Sequence, residues 1–182
     1  MSVENSAVEK SLDSYRKWLL SRFPGAVTLA TGYSRYELLG LSGLEGKVED
    51  WSGIMHNYPE AAGISKAIVS YVASTGTTLT FSTDREVAGV VASTRPQAVE
   101  ICGSWLEACV VGALSDVLRV GVPAVINHRL VLSTSRWDVR EVEKFLNDYI
   151  TEKNRRIVPQ GMKFHARQLP EVGATYFTPE FL

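Results

Sequence analysis

The chain has 182 residues, 45% of them apolar, which is enough for one domain with a buried core. Nineteen basic and twenty acidic side chains leave a formal charge of -1, which excludes bulk electrostatic attraction to nucleic acid or to an anionic membrane. The opening MSVENSAVEK has neither a basic leader nor an apolar run, and nothing further on approaches the ~20 apolar residues of a membrane span, so the chain reads as cytoplasmic and non-membrane.

Val8, Leu12, Tyr15, Leu19 and Phe23 recur at steps of three and four and predict an amphipathic helix, stopped by Pro24-Gly25. A short strand fits 26–30. Residues 38–50, LLGLSGLEGKVED, raise the question of a phosphate-binding loop, since Gly46-Lys47 ends the Walker pattern G-x-x-x-x-G-K-[ST]. Leu41 stands where the first glycine is needed, however, and Val48 where a hydroxyl must hold Mg²⁺. Valine cannot ligate magnesium, so the stretch reads as a glycine-rich surface loop, with Glu37, Glu45, Glu49 and Asp50 as a solvated acidic face. A connector over 40–63 is pinned by Trp51, Ile54 and Met55.

Further on, ISKAIVSYVAST places Ile64, Ile68, Tyr71 and Val72 on one helical face, ended by Gly76. TTLTFST alternates as a short strand does. Thr94 and Gln97 then stand in capping-box relation with Pro96 in the first turn, and apolar residues from Ala98 to Val111 run all round the helix this predicts. Such a helix is central, and its Cys102 and Cys109 are core packing beside Trp105. A short helix opening at Ser115 or Asp116, a break at Gly121-Val122-Pro123 and a second short helix through Arg129 follow, with His128-Arg129 at its end. Val139, Val142, Phe145, Leu146, Tyr149 and Ile150 mark one further amphipathic helix. Beyond Arg156, Pro159, Gly161, Pro170, Gly173 and Pro179 predict an irregular, extended tail. The fold class expected is mostly α: a compact helical bundle with at most a short strand pair, organised as residues 1–63, 64–156 and 157–182.

The span 64–133 resembles the C-terminal helical lid of MoxR-type AAA+ ATPases, relatives of the magnesium chelatase ATPase subunit. ISKAIVSYVAST resembles the helix that opens the lid. ASTRPQAVEICGSWLEACVVGAL resembles the Ser-Pro-Arg and long helix of the family, and DVLRVGVPAVINHRLVLS its closing segment, which ends in His-Arg-Leu. The resemblance implies that Arg95 is the sensor 2 arginine, reaching from the lid to a bound triphosphate with a planar, permanently charged fork. It also implies an AAA+ ATPase core as partner, with ATP and Mg²⁺ bound only through that core and no cofactor bound alone. The chain departs from the family in three places: Leu114 runs directly into Ser115-Asp116, Thr94 replaces a proline, and Asn127 replaces an arginine. Residues 1–63 contain neither Walker motif.

The function expected is therefore a non-hydrolysing interaction or regulatory module, not an enzyme on its own. The alternatives are a fragment or partner subunit that lends Arg95 to an ATPase, or a small helical binding module, a homo-oligomer or a binder of an anionic partner through its basic tail. His56, His128 and His165 lie at no metal-ligand spacing, so no metal site is expected. As a nucleic-acid contact the basic stretch of Lys153, Arg155, Arg156, Lys163 and Arg167 would need aromatic platforms or a groove-fitting helix; it otherwise reads as a solvated tail. Phe164 is the one ring interleaved in that stretch, so nucleic acid is not expected.

Overall fold

Strands, not helices, form the centre of the molecule. The structure, a computed structural model, describes residues 3–31, 71, 89, 91, 93–104, 106–132, 139–153 and 162–181. Within them α1 (Val3–Arg22) leads to β1 (Val27–Thr31). Next come β2 (Val99–Ser104), a π-helical turn (Leu106–Val110) and α2 (Val111–Arg119). Then follow β3 (Ala124–Leu132), α3 (Val139–Lys153), β4 (Met162–Leu169), a 3₁₀ turn (Pro170–Val172) and β5 (Ala174–Phe181). The strands form one sheet in the order β1-β2-β3-β5-β4. β1, β2 and β3 are parallel, and β5 is antiparallel to both β3 and β4.

The mostly helical bundle is thus replaced by a mixed α/β domain, and the correction has a definite physical source. The apolar run 98–102 is a parallel strand covered on both faces, where alternation disappears because neither side meets water. Val99 and Ile101 point to one core, with Leu29, Val117, Leu118 and Leu146; Cys102 points to the other, with Leu12, Tyr15 and Leu19. The expected central helix is a strand, a π turn and a nine-residue helix. Thr94 closes a helical turn instead of opening one. The second short helix expected through Arg129 is strand β3, and the tail beyond Arg156 includes the β4–β5 hairpin. The helix over 64–75, the strand at TTLTFST and the glycine loop at 38–50 lie outside the described residues, apart from Tyr71, which is helical and buried.

α1 covers one face of the sheet while α2 and α3 cover the other, so each strand buries alternate residues in different cores. Among the described residues β4 is an edge strand, and α3 blocks that edge. The Asn147 amide donates to Phe164 O at 3.2 Å, and its Oδ1 accepts from Phe164 N at 3.1 Å, standing where another strand would pair. Asn147→Ala is expected to cost about 1–2 kcal/mol, the net worth of two such bonds at a part-exposed site. Urea denaturation checks this as a lower midpoint at unchanged slope.

Candidate active site at the carboxyl edge of the sheet

Because β1, β2 and β3 are parallel and in register, with Thr31 beside Gly103 and Ser104 beside Leu132, their carboxyl ends open on one edge. In open α/β sheets ligands bind outside the carboxyl ends of the strands, most often where the strand order reverses. The backbone is irregular at this point in three ways. Gly103, the last residue but one of β2, has φ 132°, a region that side chains other than glycine's rarely adopt. The π-helical turn Leu106–Val110 carries the chain from β2 into α2; such turns are uncommon and recur at functional sites. β3 bulges, with Ile126 paired to Ile101 and Val131 to Gly103, so that Asn127 to Leu130 oppose Cys102.

Cys109 lies in the π turn. Its thiol is free and exposed, whereas Val110 next to it is fully buried and fixes the turn to the core. Cys102 is fully buried, its Sγ 3.7 Å from Leu29 O as donor, and burial pushes its pKa well up. The two cysteines expected to share one helical face therefore have different roles: Cys102 packs, and Cys109 meets solvent. Reading one helix through 94–114 concealed this. The signal that could have revealed it is Gly103-Ser104 directly after an apolar run, where a strand can end and a turn begin.

Arg95 sits elsewhere. It is exposed, with φ 43°, and its N–H donates to Val91 O at 3.0 Å. It thus occupies the left-handed position after a helical turn, a place glycine usually takes, and precedes the amino end of β2, opposite the Cys109 edge. It does not stand at the start of a long helix. His128 and Arg129, expected at a helix end, are in the β3 bulge. His128 Nε2 lies 2.7 Å from Thr175 Oγ1, and Arg129 Nη1 donates to Ser11 Oγ. His165 lies on β4, 2.6 Å from Glu180 Oε2.

A second polar constellation lies beneath α1. Glu100, in the middle of the sheet and fully buried, accepts from Thr28 Oγ1 at 2.6 Å and from Tyr71 Oη at 2.8 Å. Arg16 of α1 reaches the same carboxylate at 3.3 Å and Thr28 Oγ1 at 3.1 Å. Burial raises the Glu100 pKa against the opposing pull of these partners, and burial with the nearby carboxylate raises both Tyr71 and Tyr15. Among the described residues Asn127 Nδ2 is buried without a hydrogen-bond partner, and the buried Tyr15 hydroxyl faces the Glu100 carboxylate. In the sequence Tyr15 and Tyr71 stand out only as members of apolar helical stripes and Asn127 only as a departure from the resembled family, while Thr28, Glu100 and Arg16 carry no pattern of their own.

Fold and site define a mixed-sheet α/β domain with a free thiol at the carboxyl edge of its parallel strands. Comparison with protein-family models, with curated proteins and with solved structures finds no match. No helix among the described residues is long and apolar enough to cross a membrane.

Proposed function

We propose that the chain is a small-molecule hydrolase in which the Cys109 thiol attacks an activated carbonyl at the carboxyl edge of β1–β3. The observation that carries this reading is the exposed thiol in the π turn joining the central strand to α2. Reactive cysteines are partly exposed, and structural ones are buried. Thiol–disulfide chemistry is less well supported, because the second thiol, Cys102, is sealed in the opposite core and offers no accessible resolving partner.

In the acyl-transfer step the C–S bond forms as the carbonyl's bond to its amine or alcohol breaks, and the leaving group departs with the thiol's proton. Water then attacks the thioester, releasing the acid and restoring the thiol. A rigid strand, a fixed turn and a helix place the sulfur, which is the precondition for orienting such an attack.

The test is alkylation of the full chain with stoichiometric iodoacetamide, followed by peptide mass spectrometry and an assay of p-nitrophenyl acetate turnover. Modification of Cys109 but not Cys102, with loss of turnover in parallel, is expected. An unmodified Cys109, or turnover that survives its modification, would reject the thiol as nucleophile.

The interaction-module reading rests on one observation, the exposure of Arg95. Phosphate release by an added AAA+ core, compared between the wild-type chain and Arg95→Ala, tests it; equal rates reject a role for that guanidinium.

A further inference from the structure

The hairpin of β4 and β5 shows different chemistry on its two faces. Met162 and Phe164 point into the core beneath α2 and α3, while Lys163, His165 and Arg167 point the other way and are exposed. These three side chains stand exposed on the side of the sheet that carries α1, and the chain just past α1 meets β5 through Phe23 and Tyr176. Alternate residues on a strand stand about 6.7 Å apart, so Lys163 and Arg167 mark the ends of a straight cationic row about 13 Å long. Two carboxylates border the row: Glu180, the cross-strand neighbour of Lys163, lies 2.6 Å from His165 Nε2, and Glu143 of α3 lies 3.9 Å from His165 Nδ1, so the cations free to meet an anion are Lys163 and Arg167.

An aromatic ledge runs beside the row. Tyr176, the cross-strand neighbour of Arg167, stacks on Phe23 with centroids 5.3 Å apart and planes at 25°. Trp18 meets Phe23 edge-on at 6.4 Å. All three rings are half-buried, so each keeps part of its surface in solvent. Arg22 is exposed at the end of α1, close enough to Tyr176 to oppose the upward push of burial on its phenol.

A nucleic-acid contact at the basic stretch needs aromatic platforms or a groove-fitting helix. The ring interleaved there, Phe164, is in the core, but α1 and β5 supply others. A straight row of cations next to half-exposed rings fits a linear polyanion that carries flat groups. An acidic peptide would use the cations and leave the rings idle, and a duplex groove would call for a cationic helix or ribbon that can enter it.

We propose that this face binds a short single-stranded nucleic-acid segment, with phosphates on Arg22, Lys163 and Arg167 and bases against Trp18, Phe23 and Tyr176. The net charge of -1 gives no attraction from afar, so the affinity is local and modest.

Fluorescence anisotropy of a fluorescein-labelled twelve-nucleotide oligouridylate, titrated with the full chain, tests this. With three phosphate contacts and a slope of about -0.7 per contact, affinity is expected to fall roughly twentyfold between about 50 and 200 mM salt. Lys163→Glu with Arg167→Glu should weaken binding at least tenfold at an unchanged circular dichroism spectrum; the glutamine pair replaces it if the reversal disturbs folding. Tyr176→Leu, which keeps the apolar packing, should weaken binding several-fold. Absence of saturable binding at low salt, or binding indifferent to these substitutions, overturns the proposal. So does equal competition by oligoglutamate of the same charge, which would assign the face to an acidic peptide.

Discussion

Glu100→Ala is expected to destabilise the protein by about 3–5 kcal/mol, the usual cost of removing one member of a buried charged cluster. The carboxylate is fully buried on strand β2 and is the shared acceptor for Thr28 of β1, for Tyr71 and for Arg16 of α1. Alanine removes the acceptor those donors share and takes the carboxylate away from the buried Tyr15 hydroxyl that faces it. Arg16 softens the loss, since its side chain is 16% exposed and can turn to water. Glu100→Gln keeps shape and acceptor oxygen and should cost about 1 kcal/mol or less. Urea unfolding of the three proteins measures the series.

The same residue sets a pH dependence. Burial raises the Glu100 pKa in the folded state, so the folded protein holds this proton more tightly than the unfolded chain does. Its contribution to stability is complete below the ordinary carboxylate pKa and is lost as pH rises through the raised folded value. Stability should therefore decline with pH across that window in the wild type, and this component should be missing in Glu100→Gln. A Glu100→Gln profile with the same slope would place the effect elsewhere.

Cys109→Ala should reduce turnover by roughly a thousandfold or more, because the proposed covalent step has no other sulfur to use. Its thermal midpoint should stay within about a degree or two of wild type, as exposed substitutions rarely change stability by more than ~0.5 kcal/mol. Cys102→Ala should do the reverse, keeping turnover and losing on the order of 1–2 kcal/mol, since its sulfur fills space between α1 and the sheet. The pair separates a chemical role from a packing one. A Cys109→Ala protein that turns over normally but melts early would make that thiol structural.

Where one face of an element meets water, its type could be read from the residues. The stripe Val8, Leu12, Tyr15, Leu19 gives α1, and Val142, Phe145, Leu146 gives α3; each helix lies on the outside of the sheet. The short strand at 26–30 matches β1 closely. β2 reads as helix because both of its faces are buried, and a short continuous apolar run carries no period to distinguish strand from helix; in β3 the polar Asn127-His128-Arg129 at the bulge interrupts the alternation. In β2 the lone acid of Val99-Glu100-Ile101-Cys102 offered a usable clue, since a charge within such a run needs partners brought from afar. The hairpin was hidden by Pro170, Gly173 and Pro179. Proline and glycine at the turn suit the connection, and Pro179 on β5 stands opposite Phe164. Of the candidate site, the thiol was noticed, but its exposure depends on the π turn, which no local pattern announces.

Residues 162–181 supply two of the five strands, and Phe164 and Phe177 complete the packing under α2 and α3. During synthesis these residues emerge after every described element they pack against. Until then β3 carries an open rim and the core beneath α2 lacks two of its rings, so closure waits on the hairpin. A ribosome stalled near Lys153 would hold a sticky, half-walled intermediate, and chaperone capture should be strongest at that length of nascent chain.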